Sequence, residues 1–219
     1  MVYILFEDAD VLAVDKPEGL AVVPERDRAR PCLLSILAQQ VPYKPYVVHR
    51  LDKEVSGVML LAKNAEAHRT LNDQFSTHQV HKTYLALVHG RMESDHGAID
   101  RPIREFGSGR MGIDARQGKP SVTKYKVLEC LAGYSLLEVH PITGRRHQIR
   151  VHLYSIGHPV VGDVHYGDKA LQGLFGRLML HARRIAFTTP SGQNQAVESP
   201  VSVSFQQVLE SLGQRPSGG

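Results

Sequence analysis

Within nine residues, the segment HRLDKEVSG (49–57) sets two carboxylates, Asp52 and Glu54, beside a histidine, an arginine and a lysine. A carboxylate kept ionised by a nearby cation can serve as base, nucleophile or electrostatic stabiliser. The same composition also suits a solvated turn with a surface ion pair. If VHRLD is extended, Val48, Arg50 and Asp52 share one side, and His49 and Leu51 share the other. Asp52 would then leave the strand into KEVSG, a turn closed by Gly57. A carboxylate at a strand end beside a loop is a common catalytic position. Residue chemistry alone does not choose Asp52 over Glu54.

A second candidate is RRHQIRVHL (145–153). Read as a helix, it puts Arg146 and Arg150 one turn apart on one face, with His147 next to Arg150. Arg145 and Arg146 would occupy the first turn, where free N–H groups already make a positive end. Cations there break a local rule, as an anion-binding site does; the plain alternative is an exposed basic face. Twelve histidines invite a metal reading. His147 and His152, at i, i+5, lie roughly 140° apart around a helix and share no face. HExxH, GxSxG and P-loop patterns are absent, and the GxGxxG spacing of GSGRMG (107–112) lacks the strand-to-helix setting that a dinucleotide site needs. No metal and no cofactor are expected. FGSGRMG (106–112) reads as a flexible loop among bases, able to touch a phosphate.

Around these groups stands a chain of 219 residues, 42% hydrophobic, long enough to bury a substantial core. Cys32 and Cys130 form no disulfide or zinc pattern, and no signal peptide or membrane span is legible, so a cytoplasmic protein is expected. Charge is segregated. Residues 1–25 carry net −5, whereas 101–126 and 141–190 each carry net +5. Such basic segments favour a polyanion, nucleic acid above all; a plain basic surface is the alternative.

The positioning elements follow from periodicity. VLAVDKPEGL reads as a strand ending in a Pro/Gly loop, and GVMLLAK as a buried strand. PCLLSILAQQ is helical. In NAEAHRTLNDQFSTH, Asn64 caps a helix whose Ala67, Leu71 and Phe75 recur every four residues. KTYLALVHG is a strand. SVTKYKVLEC and GYSLLEVHPITG pair as a hairpin across Ala132–Gly133. Gly157 ends the RRHQIRVHLYSI helix as its C′ residue. RLMLHARRIAFTTP is a strand and SFQQVLESLG a helix. Strands outnumber helices, with mostly antiparallel neighbours, so the class is α+β. One domain over 1–212 and a frayed tail over 213–219 are expected.

HRLDKEVSG strongly resembles the HRLDxxTSG motif of the RluA-type pseudouridine synthases. In order along the chain, VDKPEGL, KTYLALVHG, PITGRRHQIRVHL, GDVHYG and LMLHA resemble further signatures of that family. The resemblance implies isomerisation of uridine to pseudouridine in RNA. It also implies a bent, mostly antiparallel mixed sheet flanked by helices, with a central RNA-binding cleft. Asp52 then falls on the catalytic aspartate, Tyr84 on the tyrosine that packs against uracil, and Arg150 on the arginine that pairs with the aspartate. Ile149 falls on the apolar wall of the base pocket, and Arg50 on a residue that refills the space of the flipped nucleotide. His49 is an alternative wedge, and Arg146 and His147 are expected to contact RNA. Implied partners are tRNA and/or a large-subunit rRNA stem-loop, bound by a monomer with no separate N-terminal RNA-binding module. Val55 departs from the motif, which has Thr there. A non-catalytic RNA-binding protein and a carboxylate-dependent nucleoside hydrolase are the competing readings.

Overall fold

In a computed structural model the described residues are 1–25, 27 and 30–213. The expected frayed tail therefore lies outside them, except Gly213, which closes the last helix. The chain opens with β1 (Tyr3–Glu7), β2 (Val11–Lys16), α1 (Leu33–Gln40), β3 (Tyr46–Val47), β4 (Ser56–Ala62) and α2 (Ala65–Ser76). Next come β5 (His81–His89), β6 (His96–Asp100), β7 (Ile103–Glu105), β8 (Met111–Ile113), β9 (Val122–Leu131) and β10 (Tyr134–Pro141). The last elements are α3 (Gln148–Ser155), α4 (Lys169–Gln172), β11 (Leu180–Thr188), β12 (Asn194–Glu198) and α5 (Val203–Gly213). The class is the α+β expected from the sequence. Two compact units emerge: Met1–Lys82 with His181–Val201, and Thr83–Leu180 with the chain from Ser202 onward.

In the first unit, every residue of β4 is buried, matching its unbroken apolar run. β2 lies antiparallel along one edge of β4, from Val11 opposite Ala62 to Lys16 opposite Gly57, and β1 adds beyond β2. The other edge of β4 is divided. β11 runs parallel to its start, with His181 opposite Ser56 and Ala182 opposite Gly57. β3 runs antiparallel to its end, at Leu61 and Ala62. Gly57 makes the first of these pairings possible. Its φ is +116°, and a Cβ there would overlap the Ala182 carbonyl. β12 completes the group on β11. In α2, Asn64 caps as expected, its side chain accepting the Ala67 N–H at 2.8 Å. The buried Gln74 on the same helix exchanges two hydrogen bonds with the Thr188 backbone.

In the second unit, β9 and β10 form the expected hairpin, turned at Gly133 with φ +79°. β5 pairs with β10, setting Tyr84 opposite Val139, and β6 pairs with β9. β7 and β8 form a separate two-stranded hairpin. Part of FGSGRMG, expected as a loop, is strand: the Phe106 N–H meets the Arg110 carbonyl at the tip, and Met111 begins β8. Strands of three residues are too short for alternation to reveal. Met111 on β8, Ile103 on β7, Val151 on α3 and Tyr166 share one apolar cluster.

α3 begins later than its pattern implies. His147 is its N-cap, in the left-handed conformation with φ +54°, so Gln148 is the first helical residue. Arg145 and Arg146 precede the helix and are not stacked in its first turn. The C-terminus agrees with expectation, Gly157 taking φ +88° just after Ile156.

Candidate active site

Asp52 does not leave a strand, as the extended reading of VHRLD has it. Regular strand ends at Val47, and Asp52 opens a tight turn that leads into β4. The Val55 N–H closes that turn on the Asp52 carbonyl at 3.1 Å. Closure is made by main chain, so the buried Val55 side chain is compatible with it. Asp52 itself is half-buried, and Arg50 is exposed.

Three contacts brace this turn. Lys16, at the end of β2, is fully buried, and its ammonium donates to the carbonyls of Pro17, Leu20 and Lys53. Three carbonyls replace the water that a buried ammonium loses, and one of them belongs to the residue after Asp52. On the far side of the turn, Ser56 meets His181 Nδ1 at 2.9 Å, both residues being buried.

His49 supplies the third contact. Leu60 pairs with Ala13 of β2 on one side, but on the divided edge its N–H meets no strand, and His49 Nε2 accepts it at 3.0 Å. The ring stacks on Phe75 at 4.7 Å between centroids. Burial, reinforced by the Lys82 charge, pushes the His49 pKa down to about 3. Lys82 is itself pushed down to about 8 by burial. A neutral ring committed to a backbone N–H inside the sheet is a structural cap, a different part from the wedge expected of it.

In the second unit, Arg150 and Asp163 form a buried, two-pronged ion pair. Arg150 Nε donates to Oδ2 and Nη2 to Oδ1, both at 2.7 Å, and both residues are at most 2% exposed. Asp163 Oδ1 also accepts the N–H groups of His165 and Tyr166. A buried fork of this kind fixes the guanidinium plane. The Arg150 guanidinium lies 5.2 Å from the centre of the Tyr166 ring. The Tyr166 hydroxyl accepts the Met111 N–H at 3.2 Å and stands 2.9 Å from His147 Nδ1. Burial raises its pKa, so it keeps its proton.

The loop before α3 is tied down by Gln148. Its Oε1 accepts from the Thr143 hydroxyl and the Arg145 N–H, while its Nε2 donates to the Val122 carbonyl and the Thr123 hydroxyl. All four capacities of a buried amide are filled. Ile149 is buried beside Arg150, at 7% exposure, and Tyr84 on β5 is half-buried. Arg146 is exposed and pairs with Glu105 at 3.0 Å. Asp52, His49 and Arg50 thus belong to the first unit, and Tyr84, Arg146, His147, Ile149 and Arg150 to the second. Among the described residues, no three His, Cys, Asp or Glu side chains gather as a metal set.

Residues 10–155 match the RNA pseudouridylate synthase family. A ribosomal large subunit pseudouridine synthase D of Nitrosomonas europaea is 39% identical over 97% of this chain and 66% of its own length. The chain belongs to the RNA pseudouridylate synthase family. A dual-specificity RNA pseudouridine synthase RluA of Vibrio vulnificus is 40% identical over 85% of this chain and 78% of its own. An uncharacterized RNA pseudouridine synthase of Aquifex aeolicus is 41% identical over 86% of this chain. This chain spans 65% of that relative's length. Among solved structures, human RNA pseudouridylate synthase domain containing 1 superposes with a TM-score of 0.80. It is 30% identical and covers 100% of this chain and 97% of its own.

On this pseudouridylate synthase fold, sequence reasoning missed the residues that hold the candidate groups. Asp163 and Tyr166 lie in GDVHYG, Lys16 in VDKPEGL and His181 in LMLHA. The motifs were visible. The pairing of Asp163 with Arg150, 13 residues away, and of His181 with Ser56, 125 residues away, was not.

Proposed function

We propose that this chain converts uridine to pseudouridine within structured RNA, with Asp52 as the catalytic carboxylate. The observation that carries the reading is HRLDKEVSG itself. It holds its aspartate at the mouth of a main-chain-closed turn, in a chain that matches the family over residues 10–155. The reaction breaks the N-glycosidic bond, turns the uracil and forms a C–C bond at its carbon 5, releasing the proton of that carbon. Asp52 acts as the anion. Tyr84 packs against the uracil, Ile149 walls the base pocket, and Arg150 steadies negative charge in a dry site. The target must leave its stack at a cost of a few kcal/mol, and Arg50 refills the gap. Arg146 and His147 contact the RNA.

The proposed substrates are tRNA and/or a large-subunit rRNA stem-loop, bound by a monomer in the cytoplasm. The names of the Nitrosomonas and Vibrio relatives, one for the ribosomal large subunit and one for dual specificity, support this range. Mapping pseudouridine in total RNA from a deletion strain tests it. At least one site is expected to vanish, to return with the wild-type chain, and to stay absent with Asp52→Ala. An unchanged map would overturn the proposal.

A further inference from the structure

The second unit holds a cavity of about 480 Å³, lined wholly by its own residues. Met111, Val151 and Tyr166 form an apolar floor. Phe106 and Tyr154 stand over it, 41% and 45% exposed although both are large aromatics. Arg110 holds its guanidinium 5.3 Å from the centre of the Tyr166 ring.

The walls are set in place. Phe106 lies across Gly112 and under the Arg104 guanidinium, which is 5.4 Å from its ring centre and is paired with Asp114. At the rim, Arg101 reaches the Ser155 carbonyl at the C-terminal end of α3. The volume falls within the range of about 300–1,000 Å³ typical of small-ligand pockets. The segment supplying one wall, 101–126, carries net +5.

Exposed aromatic faces over an apolar floor, ringed by arginines, match the two halves of a nucleotide. The rings stack on a base of any sequence, and the cations take its phosphates. A buried aliphatic ligand would need no arginines, and duplex RNA presents no free base face.

We infer that this cavity is a second nucleotide site, which takes one unpaired base of the RNA apart from the uridine that reacts. The inference rests on the chain's being an RNA-acting protein. The hairpin of β7 and β8 and the face of α3 pinch that base between Phe106 and Tyr154, and Arg110 and Arg101 hold its flanking phosphates. The site would recognise an unpaired position of the RNA by shape, with little sequence preference.

The test uses the full chain and two fluorescein-labelled probes: hexaadenylate, and a hexamer of the same backbone with abasic tetrahydrofuran residues. Binding is followed by anisotropy at one fixed salt concentration. Wild type is expected to bind hexaadenylate about tenfold more tightly than the abasic hexamer, the scale of one stacked base. Tyr154→Ala is expected to abolish that preference without changing affinity for the abasic probe, and Tyr154→Phe to retain it. Arg110→Ala is expected to weaken both probes alike. A hexamer carrying 8-azidoadenosine is expected to crosslink within 101–113 and 151–166. Equal wild-type affinity for the two probes, a preference that survives Tyr154→Ala, or crosslinks confined to other segments would overturn the site. Because these measurements read binding alone, a chain that makes no pseudouridine yet shows the preference supports this cavity while removing the proposed reaction.

Discussion

His49 Nε2 accepts the Leu60 N–H, and protonating it would set one donor against another. The ring therefore stays neutral in the folded protein down to about pH 3, whereas in the unfolded chain it takes a proton below its ordinary value of 6.5. Its contribution to stability is complete above pH 6.5 and is lost as pH falls toward 3. The slope is at most about 1.4 kcal/mol per pH unit. His49→Gln keeps an acceptor for Leu60 and cannot titrate, so its stability should fall less steeply. Urea midpoints of both proteins between pH 7 and 4.5 measure the difference; parallel curves would contradict the assignment. None of this was legible in HRLDKEVSG, because the Leu60 N–H became an orphan only through strand pairing. Residue chemistry alone left Asp52 and Glu54 equivalent, because they share one turn; only the resemblance to the HRLDxxTSG motif chose Asp52.

At the scale of elements, α3 depends on a carboxylate outside it. Arg150 is 2% exposed, and both prongs of its fork end on Asp163. Replacing the acid alone removes the carboxylate that holds both prongs of a buried guanidinium. Asp163→Asn should cost about 3 kcal/mol in denaturant unfolding and remove most turnover, while Asp163→Glu recovers part of each. A stable Asp163→Asn protein with wild-type turnover would contradict this reading of α3. The glycine before Asp163 has its own constraint: Gly162 has φ +77°, and a Cβ there would overlap the Arg177 carbonyl. The elements with strong local signals were readable. The Asn64 cap, the Gly133 hairpin and the Gly157 C′ position each depend on a few neighbouring residues. The start of α3 was not readable, because a left-handed His147 stands before Gln148 and meets Tyr166, 19 residues on, neither of which has a local signal.

For the whole molecule, segregated charge favoured a polyanion before any fold was known, with a plain basic surface as the alternative. The N-terminal 25 residues carry net −5, and segments 101–126 and 141–190 carry net +5 each. Binding that rests on such segments should release counterions, so affinity should fall linearly on logarithmic axes as salt rises. With Asp52→Ala protein and a tRNA or rRNA stem-loop, raising salt from 50 to 200 mM should weaken binding by at least about tenfold. A flat salt dependence would contradict a phosphate-borne interface. The sheet order was beyond reach from the sequence, since the pairing of β4 with β11 joins residues 125 positions apart.

Asp52 is proposed to drive carbon–carbon bond formation at carbon 5 of uracil within RNA. RNA labelled with tritium at that carbon reads the bond directly, because the label leaves to water only when the new bond forms and carbon 5 gives up its hydrogen. The wild-type chain should release tritium in step with pseudouridine and leave no free uracil. Asp52→Asn should bind the same RNA and release none. Tritium release by Asp52→Asn at the wild-type rate, or free uracil in place of pseudouridine, would contradict the account.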